Sequence, residues 1–320
     1  MAGLFLSFSY NRVFDEFENS TLDLRYRIRP HQNVGKDIVI VEIGDDSISK
    51  LGKWPFPRNY HALLVQALKS AGVKTILFDI FFSESKEEDD SFAESVKNAG
   101  NVYMPYVFEL DRSNPDKTRM HAAKITAPLI DVLSAAAKGT GFVNVEPDFD
   151  GKVRRIPLFI EYYGDMYPQV TVKAALNDLG YDFSSEMIFP GKKMKVGDDI
   201  IIPLGEDSTM LVNYPDVWGK AFRHYSYVDI IQSYLADVMG QEPFLDLKDL
   251  EGSVCFVGFT ATASPDAHPS PMERLYPGVG VHTSVYNSII NRSFIKRLNK
   301  WWNLFILVAM WMITAYVTLK

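Results

Sequence analysis

Cysteine is almost absent from this chain of 320 residues, in which Cys255 is the single thiol. One cysteine cannot form an intrachain disulfide, and it excludes a zinc site built from several thiolates. Basic residues are in the minority: there are 33 lysines and arginines against 40 aspartates and glutamates, which gives a net charge of −7. Nucleic-acid binders depend on clustered lysine and arginine, so we expect no nucleic-acid partner.

Long apolar runs are also rare, and the mean hydropathy of −0.06 is too polar for a polytopic membrane protein. The exception is the C-terminal stretch 301–319, which contains no charged residue. At about 1.5 Å per residue, a helix of this length just crosses a hydrocarbon core of roughly 30 Å. We therefore predict a transmembrane helix over 301–319, although a buried core helix would have a similar composition.

The N-terminal region has no apolar run long enough to span a membrane. Its apolar residues Val13, Phe17, Leu24 and Ile28 recur near helical spacing with acidic residues between them. This pattern is typical of an amphipathic helix. We predict that residues 1–22 form a membrane-proximal stalk, while a core helix of the domain would have the same pattern.

Strand and helix patterns alternate through the first part of the chain. Short apolar runs at 38–43, 75–82 and 101–108 are separated by helical patterns at 60–71 and 90–99. Strand, helix, strand units favour parallel pairing of the strands. We predict an α/β fold with a mixed sheet flanked by helices.

The pattern changes in the second part of the chain. The runs 142–145 and 153–162 flank Asp150 and Gly151, which predicts a β-hairpin. The short, polar, glycine-containing segment 189–204 indicates a small antiparallel β excursion. Other elements are predicted from periodicity alone: helices at 169–179 and 281–289, and strands at 210–214 and 253–259.

Several short motifs follow one another between residues 23 and 295. They are Asp45-Asp46, Gly52, Trp54-Pro55-Phe56-Pro57-Arg58, Phe78-Asp79-Ile80, Asp89-Asp90, Gly141-Phe142-Val143-Asn144-Val145, the run from Pro147 to Arg155, Val212-Asn213-Tyr214, the run from Val257 to Ala261, Asp266, and the run from Pro277 to His282. With these motifs in this order, the chain resembles the CHASE domain of type 2. That family is a sensory extracellular domain of bacterial transmembrane receptors, associated with cyclases and histidine kinases.

The resemblance implies a sensory domain over residues 23–298, followed by the transmembrane helix. It implies a location in the cell membrane with the sensory domain periplasmic or extracellular. The basic residues Lys296, Arg297 and Lys300 would by the positive-inside tendency place the domain in the cytoplasm, and here we follow the resemblance. The effector that such receptors carry, an adenylate or guanylate cyclase or a kinase, is not visible in this chain.

Candidate ligand-binding residues lie where predicted strands end. Asp46 and Asp79 each follow an apolar strand, Thr260 and Asp266 follow another, and Arg58 lies in the loop after the first. The carboxyl ends of parallel strands share one edge, where small ligands usually bind in α/β proteins. We expect these five side chains to form one cluster there. The alternative is purely structural: Arg58 pairs with a carboxylate and pins a loop over the sheet.

The remaining candidates for chemistry are weak. Asp148 and Asp150 resemble the first ligands of a calcium loop, but lysine and arginine follow at once, and a hairpin turn also explains an Asp-Gly pair. We predict no metal, no cofactor and no catalytic residue in the chain. The expected function is a sensor that responds to an unknown small molecule or protein and forms a homodimer. The alternative is a cell-envelope module for protein interaction or dimerisation.

Overall fold

The computed structural model describes residues 13–262, 266–296 and 300–318. The strands are β1 (Ile38–Ile43), β2 (Thr75–Asp79), β3 (Val102–Leu110), β4 (Ala122–Ala127), β5 (Gly139–Phe142), β6 (Arg155–Pro157), β7 (Phe159–Tyr162), β8 (Asp165–Pro168), β9 (Ile188–Phe189), β10 (Lys193–Val196), β11 (Ile200–Pro203), β12 (Thr209–Leu211), β13 (Arg223–Ser226), β14 (Val254–Phe259), β15 (Ala267–His268) and β16 (Tyr276–Pro277). The helices are α1 (Val13–Ile28), α2 (Asp45–Leu51), α3 (Arg58–Ser70), α4 (Asp89–Ala99), α5 (Asp131–Ala136), α6 (Val170–Asp178), α7 (Trp218–Ala221), α8 (Tyr227–Val238), α9 (Gly278–Ile290) and α10 (Lys300–Thr318).

A mixed sheet forms the centre of the fold. Its strands lie in the order β13, β1, β14, β2, β3 and β4, and β5 also pairs with β3. The pairs that involve β1, β14 and β2 are parallel, whereas β4 runs antiparallel to β3. The predicted α/β class with a mixed sheet is confirmed. Because β1, β14 and β2 are parallel neighbours, their carboxyl ends meet at one edge of the sheet.

Helices cover both faces of this sheet, which explains why its central strands are apolar throughout. Alternate residues of β1 point to opposite sides. Val39 and Val41 pack in a core with residues of α3, α4 and α8, and we call this side the first face. Ile38 and Ile40 pack in a second core with residues of α6 and α9, and we call this side the second face.

The predicted hairpin around Asp150 and Gly151 is wrong. The turn itself exists, since the Gly151 amide donates to the Asp148 carbonyl at 2.8 Å. However, β5 pairs in parallel with β3, β6 pairs with β12, and β7 pairs with β8. An Asp-Gly pair indicates a local turn. The strands on either side of this turn, β5 and β6, pair with strands that are more distant in the sequence.

A three-stranded antiparallel sheet, β9, β10 and β11, occupies the segment predicted to hold the small β excursion. Strand β10 lies in the middle, and its Met194 and Val196 are buried in the second-face core. The predicted excursion is confirmed.

Helix α1 is present where the N-terminal pattern predicts a helix, and residues 1–12 of the predicted stalk lie outside the described residues. Tyr26 and Asp23 are buried against the domain, whereas Leu24 and Ile28 are 57% and 71% exposed. Leu24 and Ile28 of the apolar stripe therefore do not face the domain. Tyr26 packs in the second-face core, and a buried polar network, described below, also holds this helix.

The segment predicted to cross a membrane lies on α10 as far as Thr318. Among the residues given above, however, no helix combines the length and apolarity that crossing a membrane requires. The transmembrane part of the predicted architecture is therefore not confirmed. Arg297, one of its predicted basic flanking residues, lies outside the described residues.

Candidate functional site

The carboxyl edge of β1, β14 and β2 brings polar groups together over the sheet. In the parallel register, Glu42 is aligned with Gly258, and Gly258 is aligned with Asp79. Gly258 leaves room for the helix above, because a Cβ at this position would lie 2.5 Å from Cβ of Val279. The start of α9 therefore lies directly over this edge.

Two carboxylates and two imidazoles form a group at the start of α9. His282 Nε2 lies 3.8 Å from Asp79 Oδ1, and His268 Nε2 lies 3.4 Å from Asp266 Oδ1. We call Asp79, Asp266, His268 and His282 the carboxylate–imidazole group. The side chains of Asp79 and His282 are 5% and 2% exposed, whereas that of Asp266 is 45% exposed, so the group leads from solvent to the interior.

Local sequence fixes this arrangement. The Gly278 amide donates to the Asp266 carbonyl at 2.8 Å, and the Asp266 carboxylate lies so close that a Cβ at Gly278 would be 2.3 Å from its Oδ2. Only glycine accommodates the carboxylate there. The negative charge lies at the amino end of a 13-residue helix, where the helix dipole favours it.

The buried half of the group holds unsatisfied polar atoms. Within the described part of the chain, Asp79 Oδ2 and His282 Nδ1 are buried without a hydrogen-bond partner. An unsatisfied buried polar atom costs about 1 to 3 kcal/mol. Burial, together with the nearby Asp266 carboxylate, raises the pKa of Asp79 well above its ordinary value. Burial lowers the pKa of His282 to about 4, although Asp266 opposes this shift.

A second set of polar contacts joins the end of β1 to its neighbours. Glu42 Oε2 accepts a hydrogen bond of 3.3 Å from Thr260 Oγ1, and Glu42 Oε1 contacts His224 Nδ1. Asp46 Oδ2 accepts from Ser226 Oγ, at the end of β13. Thr260 and Asp46 thus lie at the predicted edge, where Thr260 bonds a side chain of β1 and Asp46 bonds one of β13.

Arg58 lies elsewhere, so the predicted single cluster is wrong for this residue. Its Nε donates to Asp89 Oδ1 at 2.8 Å and its Nη2 donates to the Glu84 carbonyl at 2.9 Å. The reason is the alternation of side chains along β2. Ile76 and Phe78 point to the first face, which is also where Arg58 begins α3. Asp79, the next residue, therefore points to the second face, beneath α9. The structural alternative, in which Arg58 pairs with a carboxylate, describes its role.

The acidic residues that resemble a calcium loop bind a guanidinium instead. Arg154 is 1% exposed and contacts Asp23 at 2.7 Å, Asp148 at 2.9 Å and Asp150 at 2.7 Å. Lys152 also pairs with Asp23. Asp23 belongs to α1, so this network fastens the N-terminal helix to the domain.

The chemistry open to the carboxylate–imidazole group is binding and proton exchange. Among the described residues, no set of three or more histidine, cysteine, aspartate or glutamate side chains is placed to hold a metal ion. Ser270, the hydroxyl closest in sequence to His268, donates to the Glu273 carbonyl at 3.1 Å. A protonated Asp79 could donate a hydrogen bond, and its ionised form could accept one from a ligand.

Sequence reasoning missed His282 as a partner of Asp79. His282 was visible only as the last residue of a glycine-rich motif. Its position four residues after Gly278, on the first turns of a helix that begins beside Asp266, was the available signal. The acidic run at 84–90 also predicts a solvated loop and helix start, and this is wrong for Asp89, which is buried.

Opposite pH effects are expected from the two buried members of the group. His282 has a lowered pKa, so the unfolded chain takes up a proton more readily, and stability is lost as the pH falls from about 6.5 to about 4. Asp79 has a raised pKa, so its contribution is present at low pH and is lost as the pH rises through that pKa.

Urea unfolding at several pH values tests both signs. His282→Gln should lose less stability than the wild type between pH 6.5 and 4, and Asp79→Asn should gain stability relative to the wild type at neutral pH. His31→Gln is the control: its imidazole is 81% exposed and pairs with Asp216 at the surface, so this change should alter stability by no more than about 1 kcal/mol. An unchanged acid response in His282→Gln would contradict the assignment.

Comparison with known proteins identifies the family. The family model of the CHASE2 domain matches residues 1–317, which is nearly the whole chain. Neither the curated proteins nor the solved structures compared include one that matches it. CHASE2 domains are sensory extracytoplasmic domains typical of signalling receptors. The chain belongs to the CHASE2 domain family.

Proposed function

We propose that this chain is the periplasmic or extracellular sensor of a bacterial transmembrane receptor, and that it relays an unknown stimulus through a C-terminal membrane helix. The effector would lie outside these residues and would be a nucleotide cyclase or a kinase. The match of the sensory family over residues 1–317 is the observation that carries this proposal.

The surface of α10 supports the membrane location. Met310, Trp311, Met312 and Ile313 are consecutive, and each is more than half exposed. Four successive residues cover a full turn of an α-helix, so apolar groups surround the helix here. Exposed apolar surface costs about 25 cal/mol per Å² in water, and lipid would remove that cost. This surface supports the proposal that residues 301–319 form the membrane anchor.

The stimulus would act at the carboxyl edge of the sheet. Asp79, Thr260 and Asp266 remain the proposed ligand contacts, and His268 and His282 join them. The unsatisfied atoms of Asp79 and His282 support this choice, because a polar ligand group that bonds them would remove an energetic cost. Asp46 lies at the rim of this edge, where it accepts a hydrogen bond from Ser226. Arg58 acts as a structural residue through its ion pair with Asp89.

The route from this edge to the membrane would be α9, which carries His282 near one end. At its other end, Asn287 bonds the Gly35 amide at 3.1 Å and the Asn33 carbonyl at 3.2 Å. Asn213 then bridges Arg29, just after α1, and Ser293, just after α9. The stimulus must favour one of two positions of α9 for this relay to work.

Cysteine labelling in intact bacterial cells tests the topology. Asp198 lies in the turn after β10 with its side chain 98% exposed, so Asp198→Cys introduces an accessible thiol. The native Cys255 is buried, which makes the wild-type chain a matched control. A membrane-impermeant maleimide should label Asp198→Cys in intact cells and leave the wild type unlabelled. Labelling of the variant only after lysis would place the domain in the cytoplasm and contradict the proposal.

Homodimerisation is also part of the proposal. Leu24 and Ile28 lie one turn apart on α1 and are exposed, which favours contact with the same helix of a second copy. This observation equally supports the alternative function, a dimerising module of the cell envelope. A ligand that raises the melting temperature with increasing concentration would favour the sensor.

A further inference from the structure

A cavity of about 330 Å³ lies on the side of the small antiparallel sheet that adjoins the segment after α9. Three lysines border it: Lys192 and Lys193 at the start of β10, and Lys296 after α9. The side chains of Ile201 and Leu211 form an apolar part of its wall. This cavity is separate from the carboxylate–imidazole group.

Among the described residues, no carboxylate oxygen lies within 4 Å of Nζ of Lys192, Lys193 or Lys296, and Nζ of Lys193 lies 5.2 Å from the centroid of the Phe189 ring. Nearby Asp207 accepts hydrogen bonds from the amide and hydroxyl of Thr209. In a chain of net charge −7, this is a local concentration of positive charge. An anion bound between the lysines would reduce their mutual repulsion.

The position of the cavity along the chain indicates the class of anion. Ile295 and Lys296 line it and immediately precede the segment that leads into α10, whose exposed side chains are apolar. Ile201, which also lines the cavity, is an exposed apolar residue. A site with ammonium groups on one part and aliphatic side chains on another suits a phosphate that carries an apolar substituent. Basic pockets beside membrane helices bind lipid head groups by this chemistry.

We infer that the cavity bordered by Lys192, Lys193 and Lys296 binds a phosphate-bearing anion, of which an anionic phospholipid head group is the expected source and free phosphate the alternative. The inference concerns a cavity separate from the proposed sensor site, and its choice of a lipid source rests on the membrane anchor of the proposed function.

The full chain in maltoside micelles provides the test, with the melting temperature measured against added phosphatidylglycerol, phosphatidylcholine or inorganic phosphate. The variant K192Q/K193Q/K296Q removes the three charges. The control K53Q/K97Q/K248Q removes three exposed lysines that lie outside the cavity. Each lysine near a lipid surface contributes about 1 kcal/mol, so the cavity variant should need about a hundredfold more phosphatidylglycerol for the same shift.

Each outcome is informative. A shift with phosphatidylglycerol alone that is lost in the cavity variant and kept in the control supports a lipid head group. A similar pattern with inorganic phosphate supports binding of the free anion. Equal responses of the two triple variants, an equal response to phosphatidylcholine, or no response to any probe would overturn the inference. If the triple variant does not fold, Lys296→Gln replaces it, and the same comparisons apply.

Discussion

Replacing Arg154 by methionine is expected to destabilise the protein by about 3 to 5 kcal/mol, because it strands buried carboxylates that have lost their counter-charge. Arg154 bonds both oxygens of Asp23 and also contacts Asp148 and Asp150. Asp23 and Asp148 are 7% and 9% exposed, so water cannot replace the guanidinium. The loss should also loosen α1, since Asp23 is on that helix.

The pH dependence separates this explanation from simple loss of packing. Although burial opposes the shift, hydrogen bonds from Arg154 and Lys152 hold the pKa of Asp23 below its ordinary value. Hydrogen bonding to Arg154 also lowers the pKa of Asp150. Both groups therefore stabilise the wild type above pH 4, and this stability is lost as the pH falls through their lowered pKa values. The difference in unfolding free energy between Arg154→Met and the wild type should accordingly shrink on acidification.

Two further variants make the test specific. Arg154→Lys keeps the charge but not the planar fork that reaches three carboxylates, so its loss of stability should be smaller than that of methionine. Arg112→Met is the control, because Arg112 is 81% exposed and pairs with Glu146 at the surface. A loss for Arg154→Met that is no larger than for Arg112→Met, or that does not vary with pH, would contradict the buried network.

The central sheet was predictable because its signals are local and repeated. The runs 38–43, 75–82 and 253–259 are apolar on both faces, as parallel strands between two helical layers must be. The hairpin at Asp150 was not predictable in this way. Its turn signal is genuine, but β6 pairs with the distant β12 and β7 pairs with β8, which follows it directly. The pairing of β6 with β12 leaves no trace in a short sequence window.

The candidate site was predicted in part for a related reason. Strand ends can be read from the sequence, so Asp79, Thr260 and Asp266 were placed at the correct edge. Which face of the sheet a side chain occupies depends on strand parity, and that separates Asp79 beneath α9 from Arg58 on the first face. His282 was missed because it reaches Asp79 only when Gly258 of β14 lets Val279 of α9 pack directly against it.

The ion pair between Arg58 and Asp89 gives the other large expected effect. Both side chains are 7% exposed, and the guanidinium also lies 4.7 Å above the ring of Phe82. Asp89 Oδ2 accepts from the Lys86 amide at 2.6 Å, so the carboxylate fixes the loop that enters α4. Arg58→Ala leaves this carboxylate buried and unpaired, which is expected to cost about 3 to 5 kcal/mol.

A double-mutant cycle shows whether that cost belongs to the pair. Arg58→Ala and Asp89→Ala should each destabilise the full chain in urea unfolding, and the double variant should lose less than the sum, because no isolated charge remains buried. Arg112→Ala is the matched control, and its exposed pair with Glu146 should contribute no more than about 1 kcal/mol. Additive losses at Arg58 and Asp89 would mean that the two side chains do not interact. Equal losses at Arg58 and Arg112 would mean that the pair is not buried, and Arg58 would then be free to contact a ligand at the sheet edge.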